Sequence, residues 1–313
     1  MIAFIARRFG SGAFLLLIIS TIAYFLMFFS STNVAMNILG EDATSEAILA
    51  KQQELGLDQP ILERYWAWLT HAITGDFGIS WFTNEDIVKT ILARLPVTMT
   101  LVLGAILIAA ILATILGMTA AVKGGAIDRL VQFLAIAGFA VPNFVVAIFL
   151  VTLFAIQIPI FNAVGYTDFA ENPGEWAKSI TLPVAALALS ALAAVAQQVR
   201  GSVTDAINMD YVRTLRARGL SFNRVVYKHV LRNAGGPALS ILGVQFVGML
   251  GGSVLVEQIF AIPGLGPYAV SSTAVSDIPA VMGLVVVTAL VVIVVNLIID
   301  LLSAALNPKV RLS

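Results

Sequence analysis

The chain alternates long apolar runs with short charged segments. Seven stretches contain no Asp, Glu, Lys or Arg: 9–40, 95–122, 130–167, 179–199, 233–256, 258–276 and 278–299. A membrane-crossing helix needs about 20 apolar residues to cover roughly 30 Å of hydrocarbon. Run 258–276 carries Pro263-Gly264-Leu265-Gly266-Pro267 at its middle, which predicts a loop. The other six predict membrane helices at about 10–30, 97–122, 131–156, 180–199, 234–256 and 279–299. The first run follows Arg7-Arg8, as a signal peptide or, with Phe9, a twin-Arg signal would. It is too long for a signal h-region and no clear small-x-small site follows, so it is expected to stay as the first span.

Between spans one and two lie 64 residues, 31–94, far more than an ordinary connection. They hold nine acids and four bases. Ser45–Glu54 reads as a helix, and Ile61–Ile73 as an amphipathic one with Tyr65, Trp66 and Trp68. A second polar segment, 200–236, joins spans four and five with seven Lys/Arg and two Asp. Asp210 is expected to cap a helix over 211–218, with Gly219 as its left-handed stop and Leu220 as the apolar residue beyond. Arg213, Arg216 and Arg218 sit where the helix dipole favours cations. Ser221 is expected to cap a second helix running towards Asn233, with Arg224 where a capping box would want Glu or Gln. Gly235-Gly236-Pro237 then predicts an interruption as span five begins.

Composition agrees with this picture. Of 313 residues 59% are hydrophobic, only 12% are charged, and mean hydropathy is +0.95. That excludes disorder and argues against a soluble domain. The net charge is zero, but its distribution is not even. With the N-terminus in the cytoplasm, the cytoplasmic segments hold 13 basic and four acidic residues, and the other side five and 14. This satisfies the positive-inside rule and places both termini in the cytoplasm. With no Cys, disulfides and thiolate chemistry are excluded, and having only His71 and His229 argues against a multi-histidine metal centre.

The spans carry no ionisable residue, which argues against an ion-coupled carrier. No phosphate loop, H-E-x-x-H or G-x-S-x-G motif supports an enzyme. Polar residues in the spans include Asn143, Gln197, Gln198 and Gln245. They serve either interhelical hydrogen bonding or the lining of a pathway. Glu257 and Asp277 flank the Pro-Gly loop at the outer face, as boundary charges or as an acidic entrance attracting a cationic group. For the basic segment, lipid contact or topology control is the plain reading, and docking of a cytoplasmic partner the alternative.

The stretch Asp210-Tyr211-Val-Arg213-Thr214-Leu215-Arg216-Ala-Arg-Gly219-Leu220-Ser-x-x-Arg224-Val-x-x-Lys228-His229-x-Leu231-Arg232-Asn233-Ala234 resembles the EAA loop of ABC-importer permeases, most of all the oligopeptide/dipeptide subfamily. Arg213-Thr214-Leu215 stands at the E-A-A position, Gly219 at the family's glycine, and His229-Val-Leu-Arg232 at I-x-L-P. Leu215 departs from the usual Ala. Further matching pieces are Ala6-Arg7-Arg8, Leu55-Gly-Leu-Asp58-Gln-Pro60, Gly75-Asp-Phe-Gly78-x-Ser80, Arg94-Leu-Pro96-x-Thr98, Glu257-x-Ile-Phe260-x-Ile-Pro263-Gly-Leu-Gly266, Asp277-Ile-Pro279 and Asn307-Pro-Lys-Val-Arg311.

The resemblance implies an all-α polytopic protein with six spans and the type I ABC-importer permease fold. Residues 1–94 form the first span plus insert, and 95–313 the five-span core with its coupling loop at about 200–234. It further implies a peptide-importing permease subunit in a bacterial-type inner membrane that binds no cofactor itself. The expected partners are a second related permease, two cytoplasmic ATPase subunits carrying ATP and Mg, an extracytoplasmic substrate-binding protein and membrane lipid, with no nucleic acid. Cargo alternatives within the family are nickel chelates and glutathione.

Overall fold

The computed structural model describes residues 2–30, 34–40 and 42–306, so the Asn307–Arg311 motif lies outside the described residues. Those residues form thirteen α-helices and no strand; Ile79 and Asp86 make an isolated bridge. In order they are α1 (Ile2–Ser30), α2 (Val34–Leu39), α3 (Ser45–Glu54), α4 (Ile61–Ile73), α5 (Ile87–Lys123), α6 (Gly125–Ala140), α7 (Asn143–Val151), α8 (Pro173–Ile207), α9 (Asp210–Ala217), α10 (Phe222–Val225), α11 (Leu231–Ile259), α12 (Leu265–Ala274) and α13 (Ile278–Leu306). Wider, π-type turns extend α7 over Thr152–Gln157 and join α10 to α11 over Val226–Val230.

Five helical segments are long and apolar enough to cross a membrane: Arg7–Phe29, Ile87–Lys123, Pro173–Ile207, Phe222–Ile259 and Ile278–Ala305. The expected third span is broken. Gly125–Gly138 and Asn143–Gln157 meet at 95°, and count as a sixth span only if the pair is one. The break falls at Val141-Pro142, where proline holds the residue before it in extended backbone (Val141 φ −101°, ψ 116°).

Two other sequence expectations are corrected. Gly235-Gly236-Pro237 does not interrupt the chain, because α11 runs through all three. Proline removes one ladder bond, but Val230 and Ala234 are buried on either side of the helix start, and packing overrides propensity. Likewise the loop expected around Pro263 is confined to residues 260–264. Leu265 opens α12, with Pro267 in the first turn, where a missing N–H costs nothing.

The chain divides into two compact units, neither contiguous in sequence. The first is 1–97 with 263–293. Here α4 packs on α1 through Tyr24, Tyr65 and Trp68, with Ile278 and Met282 completing the cluster. Tyr24 meets Tyr65 and Trp68 at ring centroid distances of 5.3 and 5.8 Å. A second cluster joins Phe77, Ile87 and Ile91 to Leu265, Tyr268 and Leu284.

The second unit is 98–262 with 294–313. It centres on α8, which buries a run of alanines and valines from Ala186 to Ala206. Such small side chains let neighbouring backbones approach closely. The extreme case is Gly117 of α5: a Cβ there would stand 2.7 Å from the Ala196 carbonyl oxygen and 2.9 Å from the Arg200 nitrogen. Asp128 near the start of α6 is bridged to Arg200 of α8 by two hydrogen bonds, one of them 2.7 Å. This closure of α5 on α8 predicts that Gly117→Ala destabilises the protein by about 1–3 kcal/mol, since backbone atoms cannot yield. Thermal unfolding in detergent should show a lowered midpoint, and an unchanged one would mean the helices can part there.

Candidate functional site

The basic segment folds as a short helix clamped between turns. α9 covers Asp210–Ala217, with Met209 as its N-cap. Asp210 is therefore the first helical residue and not the cap; the Met209 side chain makes no capping bond, and the Asp210 carboxylate favours the helix through the dipole alone. The C-terminal expectation holds. Gly219 has φ +84°, the Gly219 N–H donates to the Arg216 carbonyl at 2.9 Å, and the Leu220 N–H donates to the Leu215 carbonyl at 3.3 Å. These two bonds are the Schellman stop, with Leu220 as the apolar residue after it. Ser221 does sit at the N-cap of α10, but its hydroxyl makes no capping bond.

One face of α9 is locked into unit two. Val212 is 4% exposed and packs in a cluster with Ala113 and Met118 of α5, Val195, Val199, Val203 and Ala206 of α8, and Val225, Val226, Val230 and Ala234 beyond. Tyr211, Leu215, Leu220 and Phe222 border the same cluster. Burying such side chains contributes about 1.5–3 kcal/mol each. The opposite face is free of packing. Asp210, Arg213, Thr214, Arg216 and Arg218 are exposed, as is Arg224 on α10. Arg213 and Asp210 approach to 3.8 Å, a water-exposed pair of little worth to stability. Arg216 lies 5.5 Å from the centroid of the Phe222 ring, which orients its guanidinium against the next turn. The Thr214 hydroxyl only closes back on the Asp210 carbonyl, at 3.1 Å.

The four polar residues of the spans are not gathered by hydrogen bonds, for no such bond joins any two of them among the described residues. Asn143 opens α7 and its amide presses against Gly252 of α11, where there is no room for a Cβ. The Gln198 amide donates to Ser202 of its own helix at 3.1 Å. Among the described residues the buried Gln197 amide oxygen has no donor, and Gln245 is half-buried.

Glu257 and Asp277 are both buried, at 0% and 2% exposure, which leaves an acidic entrance without accessible charge. Within unit two the Thr98 hydroxyl donates to Glu257 Oε1 at 2.7 Å. Within unit one the Ser80 hydroxyl donates to Asp277 Oδ2 at 2.5 Å and the Trp81 N–H to Oδ1 at 3.3 Å. Ser80 in turn accepts from the Thr83 N–H at 3.0 Å, so the 78–86 turn is tied to the start of α13. Burial pushes the Tyr268 phenol above its ordinary range; Asp277 adds to this, and Arg94, 5.2 Å from the ring centroid, opposes it. These ties escaped sequence reading, although Gly78-x-Ser80, Arg94-Leu-Pro96-x-Thr98, Glu257 and Asp277-Ile-Pro279 all mark them.

The helices define the class first. The fold matches that of the MetNI methionine ABC transporter in inward-facing conformation, with a TM-score of 0.57 at 14% identity over 71% of this chain and 99% of that one. The protein is thus a polytopic helical membrane protein of ABC-importer permease fold. Residues 113–312 match the family described as binding-protein-dependent transport system inner membrane component, and residues 1–102 match the N-terminal model of that system's membrane component. The chain belongs to this family of inner-membrane permeases. Among its relatives is a Brucella abortus (strain 2308) protein named as a peptide transport system permease, 34% identical over 99% of both chains. A dipeptide transport system permease of Lactococcus lactis is 32% identical over 100% of both, and a glutathione transport system permease of Shigella flexneri 34% over 95% and 94%.

The Schellman stop predicts a graded response at Gly219. A β-branched side chain strains a left-handed residue by about 1–2 kcal/mol, and Asn by less. Hydrogen exchange at the Gly219 and Leu220 amides should therefore quicken about tenfold or more in Gly219→Val and less in Gly219→Asn. Equal rates in all three proteins would show that the turn does not hold the helix end.

Proposed function

We propose that this permease imports peptides, driven by ATP hydrolysis on separate cytoplasmic subunits, with α9 as the element that couples the two. The observation that carries the reading is the division of α9. Val212, Leu215 and Leu220 bind it to α5, α8 and the start of α11, while every arginine on it faces outward. A short helix held in this way transmits a push on its outer face to three membrane helices at once. Its basic surface suits an acidic groove on a partner, with Asp210, Tyr211, Arg213, Thr214, Leu215, Arg216, Gly219, Leu220 and Arg224 as the coupling set.

In this reading both termini and 200–234 are cytoplasmic, and 31–94 faces a substrate-binding protein outside. A second related permease completes the pathway, and two ATPase subunits carry ATP and Mg. This chain binds no cofactor and catalyses no reaction. Asn143, Gln197, Gln198 and Gln245 remain candidate pathway residues. Peptide cargo is inferred from relatives named for peptide, dipeptide and glutathione transport, and glutathione is itself a tripeptide.

Reconstitution with the ATPase subunits and binding protein tests the proposal. Labelled dipeptide should enter vesicles only with ATP and binding protein. Gly219→Val should leave ATP hydrolysis running while uptake falls about tenfold, the penalty its turn strain implies. Full transport by Gly219→Val, or uptake driven by an ion gradient without ATP, would refute it. Orientation is read separately by single cysteines in this Cys-free chain. An impermeant thiol reagent should label Ser45→Cys and not Ser221→Cys in intact cells.

A further inference from the structure

A cavity of about 240 Å³ in unit one has an unusual wall. It lies against α1 and α4 and is lined by Tyr24, Gln59, Arg64, Trp68, Trp81 and Pro279, among others, none of them acidic. Arg64 is 9% exposed and its guanidinium stacks over the Phe28 ring at 5.5 Å. Among the described residues no carboxylate pairs with it. The Trp68 indole Nε1–H is buried and has no acceptor among the described residues.

The Tyr65 hydroxyl is already used: the Thr21 hydroxyl donates to the Leu17 carbonyl, so at 2.6 Å Tyr65 must donate to Thr21. Arginine cannot shed its charge, and a buried cation without an anion is costly. Two buried donors on residues that line one cavity thus call for an oxyanion, phosphate or carboxylate.

The surroundings identify its source. The cavity lies towards the end of α1 that enters the 31–94 insert. On α4, Leu62, Trp66 and Ile73 are 59%, 61% and 77% exposed and share one helical face. Trp at such a face is the mark of the boundary between hydrocarbon and headgroups. On α1, Ile22, Leu26 and Phe29 are also exposed, so apolar surface continues from the span onto α4.

We propose that the cavity between α1 and α4 binds the phosphate of a phospholipid in the leaflet facing the insert, with Arg64 and Trp68 Nε1 as donors. The acyl chains then lie along the stripe of Leu62, Trp66 and Ile73. This rests on the membrane-spanning reading of α1; the proposed orientation only makes the leaflet the outer one.

Native mass spectrometry of the purified transporter tests it. Wild type should retain one phospholipid per copy of this chain after detergent exchange. Arg64→Gln should lower that occupancy about tenfold, the effect expected of a lost charge-assisted hydrogen bond. Glu63→Gln, exposed on the same helix, should leave it unchanged. Trp68→Phe keeps the ring, removes the N–H and should lower occupancy severalfold, which keeps the test open if Arg64→Gln fails to fold.

Delipidated protein supplies a second arm. Phosphatidylglycerol should raise its unfolding midpoint, and millimolar inorganic phosphate should not. Wild-type lipid retention in both variants would overturn the proposal. So would stabilisation by inorganic phosphate with no lipid retained, which would make this a free-anion site. Retained lipid with lost binding-protein docking in Arg64→Gln would instead assign the arginine to a protein partner.

Discussion

Everything the basic segment can do depends on the burial of Val212. An eight-residue helix is marginal alone, because nucleation costs more than so few hydrogen bonds return. α9 exists because Val212, flanked by Tyr211, Leu215 and Leu220, sits in a cluster that α5, α8 and α11 already need. The stop at Gly219 then fixes its length, so the arginines on the other face hold constant positions. The same cluster explains why α11 survives Gly235-Gly236-Pro237: Val230 and Ala234 anchor the helix just before the weak sequence, and Ala238, Ile241 and Leu242 just after it.

Charge is used differently on the two faces of the problem. Arg213, Arg216, Arg218 and Arg224 stay in water, where they cost little and remain available to a partner. Glu257 and Asp277 are withdrawn from water and offset their burial with hydroxyl and amide donors. Such groups are poor attractors of a distant cation, and effective ties: removing one partner leaves the other buried and unsatisfied. Arg64 belongs to neither kind, being buried and lacking a described acid to offset it.

Much of this was legible in sequence because it is local. Charge-free runs located the membrane helices, and α3 and α4 begin and end where their patterns do. Gly219 with Leu220 announced its turn, since only a left-handed residue makes a Schellman stop economically. The fracture at Val141-Pro142 was hidden by an unbroken apolar run: hydrophobicity is the same whether a helix is straight or bent. Asp210 was misplaced by one position because capping residues and first-turn acids look alike in sequence. The ties of Ser80 to Asp277 and of Thr98 to Glu257 join positions 197 and 159 residues apart, beyond any local pattern.

As a coupling element, α9 must move as one body with the membrane helices it packs against. The Cys-free chain allows spin labels at Lys123, at the exposed end of α5, and at Arg213 on α9. Their separation is best measured by pulsed electron spin resonance in the assembled transporter, without nucleotide and with ATP trapped. A helix fixed to α5 gives one narrow distance distribution, unchanged between the two states. A distribution that splits or shifts by several ångströms on ATP binding would show α9 sliding on the helices it is meant to drive, and would rule out its role as a rigid coupling element.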